Sequence, residues 1–248
     1  KEMSRRSFLK TGTAAAIGLS MTPGSLFAGV DAKKKKAAKD GKLKILGVGI
    51  GGRGAAVLRG LETEDIIGLC DVDWKYAMPI FERYPNAKRY NDYKVMFAEL
   101  LDQCDAVVCA TADHTHAIIC AEAIAAGKHV YCEKPLTHSV YESRLLTKLA
   151  AKHKVATQMG NQGASQEGVR QICNWIWNGE IGEVTHVEAF TDRPIWPQGL
   201  MTPKEVHAVP DTLKWDLFLG PAKFRPYNNI YQPWNWRGWW DFGTGALG

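Results

Sequence analysis

Three glycines and an aspartate carry the first chemistry in this chain. Gly49, Gly51 and Gly54 stand in G-x-G-x-x-G spacing directly after the apolar run Ile45-Leu46-Gly47-Val48, and Ala55-Ala56-Val57-Leu58 follow with helical character. A strand that reverses tightly into a helix needs glycine, and the bare N–H groups of Ile50, Gly51, Gly52 and Arg53 at the helix start suit a pyrophosphate. A second register beginning at Gly47 also fits the pattern, but the Gly49 register leaves a complete strand before it. Asp71 ends the next apolar run, Ile66-Ile67-Gly68-Leu69-Cys70, at about the twenty-residue interval expected of a ribose-binding acid. A carboxylate there accepts from both ribose hydroxyls and repels a 2'-phosphate, so NAD is favoured over NADP. The bland alternative is a glycine turn and an ordinary strand-end Asp. Arg53 either touches the pyrophosphate or sits on the exposed first helical turn.

Further along, Lys134 follows a short strand, where a doubly wound sheet has its ligand crevice. A lysine at that edge can polarise a substrate hydroxyl or exchange its proton during hydride transfer. The alternative is a surface lysine fixed by Pro135. Asn161 and Gln162 come after the last strand of this half, with amides suited to a carboxamide or a sugar hydroxyl, or to a turn. Trp196, Trp234, Trp236, Trp239 and Trp240 lie among Arg193 and Arg237. Flat aromatic faces cover the C–H face of a sugar and Arg donors hold hydroxyls or a carboxylate, which makes Trp196 and Arg237 the candidates for substrate contact. The remaining tryptophans suit a core or a subunit contact.

The elements that position these residues alternate. Val/Ile-rich runs over 43–48, 65–71, 106–110, 129–131 and 155–158 are separated by amphipathic stretches over 53–61, 93–102, 116–126 and 140–153, the pattern of parallel strands joined by crossover helices. The fold expected is α/β: a Rossmann doubly wound parallel sheet over 41–159, then an incomplete α/β open-sheet substrate and dimerisation domain over 160–248 with a helix at 166–178 and a strand at 183–191.

The chain has 248 residues and a formal charge of +5, much of it in Lys1, Arg5, Arg6, Lys10 and Lys33 to Lys36, so the body is near neutral and offers no nucleic-acid surface. Ser4-Arg5-Arg6-Ser7-Phe8-Leu9-Lys10 before a weakly apolar run reads as a twin-arginine export signal with a linker over 1–40, implying a periplasmic or exported protein. The six cysteines, Cys70, Cys104, Cys109, Cys120, Cys132 and Cys173, show no C-x-x-C or other metal spacing and read as small buried hydrophobes, with no metal expected.

Cys132-Glu133-Lys134-Pro135, preceded by Gly127-Lys128-His129-Val130-Tyr131, resembles the E-K-P signature of the Gfo/Idh/MocA oxidoreductases. The resemblance extends to Ala110-Thr111-Ala112-Asp113-His114-Thr115-His116, where the family often has Pro at the position of Ala112, and to Gly160-Asn161-Gln162-Gly163 and Trp236-Arg237-Gly238-Trp239-Trp240. It implies a nicotinamide cofactor held by Thr111, His116, Glu133, Lys134 and Asn161 besides the glycine loop and Asp71. It also implies Lys134 as the catalytic group, a sugar or polyol substrate at Gln162, and a homo-oligomer when complete. In the family a further catalytic His or Asp follows a segment like Gly243-Thr244-Gly245-Ala246-Leu247-Gly248, so the chain reads as truncated within its second domain. An NAD-dependent oxidoreductase is the first expectation, a redox-neutral NAD-dependent glycosidase the second, and a dinucleotide-binding module without turnover the third.

Overall fold

The computed structural model describes residues 41–192, 196 and 198–245. Six parallel strands form one sheet: β1 (Lys44–Val48), β2 (Asp65–Cys70), β3 (Lys88–Tyr90), β4 (Ala106–Cys109), β5 (His129–Glu133) and β6 (Thr157–Gly160). Their order is β3-β2-β1-β4-β5-β6. The chain therefore starts in the middle, winds to one edge, returns and winds to the other, leaving a crevice between β1 and β4 where the order reverses.

The crossovers are α1 (Gly52–Arg59), α2 (Trp74–Arg83), α3 (Tyr93–Leu100), α4 (Asp113–Ala125) and α5 (Val140–His153). Because strand residues alternate between faces, Ile45 and Val108 join Leu58 and Phe81 of α1 and α2 on one side. Leu46 and Val107 join Met96, Ile119 and Leu146 of α3, α4 and α5 on the other. Local caps fix the helix starts. Asp73 and Asp92 accept from the N–H groups of Tyr76 and Lys94, and Ser139 with Glu142 forms a capping box on α5.

The expected architecture is present with changes in detail. The 3.6-residue pattern missed α2 and the three-residue β3, and β6 begins two residues later than the apolar run suggests. The strand expected at 183–191 does not form: that stretch is exposed and takes no regular secondary structure. The helix expected at 166–178 is α6 (Glu167–Trp177), which buries none of its residues and exposes Ile172, Trp175 and Trp177. The twin-arginine segment at 1–40 lies outside the described residues, as do Arg193, Pro194 and Pro197.

After α6 the chain returns to the sheet. A third core gathers Leu213, and Trp215 and Phe218 of the short helix α7 (Trp215–Leu219), with Tyr227, Tyr231, Trp236, Trp239 and Phe242, against Ala112 and Val72 beyond the strand ends. Leu213 forms an antiparallel bridge with Asp73, and Lys214 N–H donates to the Val72 carbonyl at 2.9 Å. Most of the Trp-rich segment is thus a roof packed over the crevice, held by stacked and edge-on ring pairs such as Trp215–Phe218 at 5.1 Å and Tyr231–Trp239 at 4.9 Å.

Candidate active site

Under that roof lies a cavity of about 1210 Å³ that runs from the glycine loop to the start of the Trp-rich segment. Typical small-molecule sites measure roughly 300–1,000 Å³, so this one has room for two ligands. Gly49, Gly51, Gly52 and Arg53 line one end. Gly49 has φ +74°, and a Cβ there would stand 2.6 Å from the Thr111 backbone nitrogen, so only glycine lets β1 turn this close to the β4 end. Asp71 faces the same end. Its carboxylate accepts from Gly51 N–H and Asp73 N–H, both at 3.0 Å, and burial pushes its pKa up to about 6 although those hydrogen bonds pull it down. Each oxygen keeps acceptor capacity for a ribose hydroxyl. The bare loop, the uncapped start of α1 and the acid at the β2 end together fit a nicotinamide dinucleotide.

Two walls here carried no sequence signal. Tyr76 of α2 lies across Gly51 and Gly52, filling the space their missing side chains leave. Asn91, Tyr93 and Val95, at the end of β3 and on α3, form the side beyond Asp71, and Asn91 Nδ2 donates to the Asp71 carbonyl at 3.1 Å.

At the other end, Glu133 is the hub. Its buried Oε1 accepts from Arg53 Nε at 3.2 Å, Tyr131 Oη at 3.3 Å and Gln162 Nε2 at 2.7 Å. Gly160 makes room for it, since a Cβ there would sit 2.6 Å from the carboxylate. Arg53 therefore joins the glycine loop to the β5 end, and Gln162 is oriented by the same group. Thr111 lines the cavity and its hydroxyl accepts from Thr115 Oγ1 at 2.7 Å. Lys134 lines the cavity between Glu133 and Pro135. Trp196 lines it too, with a buried indole N–H that has no hydrogen-bond partner among the described residues. Arg237 stands between the rings of Trp234 and Trp236, 3.9 and 4.3 Å from their centroids, and donates to the Trp234 carbonyl. Burial lowers its pKa, opposed by the nearby Asp113. The stacked guanidinium is held flat beside the cavity with donors to spare.

Two models of one oxidoreductase family match the chain. The first, described as the NAD-binding Rossmann fold of Gfo/Idh/MocA, covers residues 42–161, and the second, the C-terminal alpha/beta domain, covers 173–248. The chain belongs to the Gfo/Idh/MocA oxidoreductase family. An inositol 2-dehydrogenase from Salmonella typhimurium is 30% identical over 142 residues, 55% of this chain and 42% of that protein. A glycosyl hydrolase family 109 protein from Shewanella pealeana is 25% identical over 209 residues, 76% of this chain and 46% of its own. A solved scyllo-inositol dehydrogenase from Lactobacillus casei with bound cofactor NAD(H) and scyllo-inositol shares the fold at TM-score 0.53 and 21% identity, over 58% of this chain and 43% of that one. The chain spans less than half the length of these relatives.

Four residues expected to touch the cofactor of this Gfo/Idh/MocA protein do not line the cavity. His116 is 1% exposed on the inner face of α4, its ring nitrogens 2.7 and 3.1 Å from the carbonyl oxygens of Pro135 and Thr111. It ties together the loops that carry Lys134 and Thr111. Ile50 turns its side chain into the core beside Leu58 and Leu69. Gly54 is a packing glycine, because a Cβ there would overlap the Gly49 carbonyl oxygen. Asn161 is exposed at the start of a short 3-10 turn, leaving Gln162 as the amide that faces inward. His114 is an anchor: its ring stands 2.9 Å from the Phe218 carbonyl and 3.2 Å from that of Phe242, and burial lowers its pKa to about 4.

Proposed function

We propose that the protein is an NAD-dependent oxidoreductase that moves hydride between a sugar or polyol carbon and a tightly held dinucleotide. The observation that carries this reading is one cavity lined at one end by the glycine loop and Asp71, and at the other by Lys134, Gln162, Trp196 and Arg237. NAD when bound supplies the hydride acceptor. Asp71 favours NAD over NADP because a carboxylate in that position repels a 2'-phosphate. Lys134 takes up the proton of the substrate hydroxyl as the carbon is oxidised and returns it in the reverse direction. Gln162, held by Glu133, orients a hydroxyl. Trp196 covers a C–H face, and Arg237 grips hydroxyls or a carboxylate.

Lys134→Ala in the full-length protein tests the assignment. Turnover should fall by about a hundredfold or more, the scale of losing a general acid-base group, while dinucleotide affinity stays within a few fold. Near-normal turnover removes Lys134 from the chemistry. A dinucleotide-binding module without turnover is the weaker reading, since such a module has no need of a lysine at this edge of the cavity.

A second reading, a redox-neutral NAD-dependent glycosidase, is favoured by the match to the glycosyl hydrolase family 109 protein over 76% of the chain. The same residues would oxidise a sugar hydroxyl, eliminate the aglycone, add water and reduce the carbon again. Release of a free aglycone with no net NADH identifies it. The proposal also includes export through the Arg5-Arg6 leader, and self-association, supported by the apolar side chains that α6 exposes.

A further inference from the structure

Tyr76 lies over the glycine loop, and the proposed hydride transfer makes no use of it. It stands in the first turn of α2, where Asp73 accepts from its N–H at 3.2 Å. Ala77, Ile80 and Phe81 turn into the core, so Tyr76 is left on the cavity side with 41% of its surface exposed. The roof braces this turn: Asp73 forms the antiparallel bridge with Leu213, and Trp74 N–H donates to the Thr212 carbonyl at 3.1 Å.

The three motif glycines meet three different neighbours. Gly49 is pressed on the Thr111 backbone, Gly54 on the Gly49 carbonyl and Gly51 on the Tyr76 ring. A Cβ on Gly51 would overlap Cδ1 of that ring and stand 2.6 Å from Cε1, and one on Gly52 would stand 2.7 Å from the hydroxyl oxygen. In a loop of this spacing the first glycine serves the turn, the third serves packing and the second lets the backbone approach a pyrophosphate. Gly49 and Gly54 fill the first and third duties, so the pyrophosphate side of the loop is the side that Tyr76 borders. Its hydroxyl reaches past Gly51 to Gly52, the first residue of α1, where no side chain caps the free N–H groups that draw phosphate oxygens. Packing on Gly51 asks only for a ring, and phenylalanine would meet it. The hydroxyl adds an O–H donor beside a helix start that takes an anion.

We propose that Tyr76 is a binding residue for the dinucleotide, its ring shielding the pyrophosphate on the loop from solvent and its O–H donating to a phosphate oxygen. The assignment rests on the dinucleotide reading of the cavity. It adds a side-chain donor to the N–H groups of the loop, and it makes α2, which the roof braces, part of the grip on the cofactor. Because NAD and NADP share the pyrophosphate, Tyr76 strengthens both alike and leaves the choice between them to Asp71.

Nucleotide-free full-length protein, titrated calorimetrically with NAD, NADP and ADP-ribose, tests this. Tyr76→Phe should weaken NAD and ADP-ribose by about tenfold, the scale of one hydrogen bond to a charged group. Tyr76→Ala should weaken them further, and release of radiolabelled NAD should quicken in the same order. The ratio of NAD to NADP affinity should not change. Adenosine has no phosphate, so its affinity, read by displacement of NADH, should be the same in all three forms. The Tm of the nucleotide-free variants should stay close to that of the unmodified protein, because the side chain replaced is an exposed one. A Phe variant that holds NAD as the unmodified protein does overturns the proposal. So does an Ala variant that binds NAD more tightly, since the ring then competes with the pyrophosphate, or an equal loss of adenosine, since Tyr76 then only supports the loop. Unmodified protein that binds none of these nucleotides overturns the dinucleotide reading itself, and the role of Tyr76 with it.

Discussion

Asp71 is set for two opposing duties, and both follow from its burial. Its carboxyl is raised to about 6 from an ordinary value of 3.8. Between those two values the folded protein binds the proton more tightly than the unfolded chain does. The contribution of Asp71 to stability is therefore fully present below the ordinary value and is lost as pH rises through about 6. Asp71→Asn should consequently raise the Tm of cofactor-free protein above that pH, measured by calorimetry, and leave it little changed in acid. Binding has the opposite sign. As pH falls through about 6 the carboxylate loses its charge, so NAD affinity should fall and discrimination against NADP should narrow, and Asp71→Ser should produce both effects at neutral pH. A preference for NADP in the unmodified protein, or a pH-independent ratio of the two affinities, sinks the assignment. The place of Asp71 on the cavity wall was legible because its strand-end position is fixed by interval alone, and that of Lys134, Gln162 and Arg237 because their chemistry suits a crevice. His116 and Asn161 mark the limit of that reading: spacing places a residue on an element, but only packing decides which way its side chain points.

At the scale of elements, the same division separates local from long-range information. The strands around the switch point are apolar runs of four to six residues bounded by turns, which a sequence displays directly. Helix α2 contains Pro79, a helix breaker by propensity, and β3 is three residues long, so neither leaves a periodic trace. The roof was least legible, because its order comes from contacts across the chain. Thr244 N–H and hydroxyl donate to Asp113 Oδ2 at 3.0 and 2.8 Å, and His114 reaches the carbonyls of Phe218 and Phe242, more than a hundred residues away. These anchors join the start of α4 to the segment bearing Arg237. His114→Ala should therefore leave a buried carbonyl short of a donor and destabilise the protein by about 1–3 kcal/mol, seen as a lower denaturant midpoint. It should also raise the substrate KM while dinucleotide affinity changes little, because the glycine loop lies on other elements. Equal losses of both affinities would mean that the roof and the loop move as one unit.

For the whole molecule, the proposed export and the site constrain each other. A twin-arginine route carries folded protein, and free NAD is not expected beyond the cytoplasm, so an exported form must acquire its cofactor before it leaves. The cavity suits retention: its walls come from the Rossmann sheet, α2, α3 and the roof, so a bound dinucleotide is covered on several sides at once. A cofactor that cannot exchange has to be returned to its starting state on the same protein in each cycle. That favours paired oxidation and reduction of two sugars, or oxidation, elimination, hydration and reduction of one, over a dehydrogenase that draws on free NAD. The inference is independent of which sugar is bound, because it rests on where the cofactor can be obtained. Full-length protein purified from the periplasm without added cofactor and then denatured should release near-stoichiometric NAD or NADH, read by absorbance and chromatography. A Lys134→Ala form should release the same amount, since retention depends on the walls around the dinucleotide and not on turnover. Empty protein that turns over only with added NAD would overturn retention and leave the oxidoreductase reading standing.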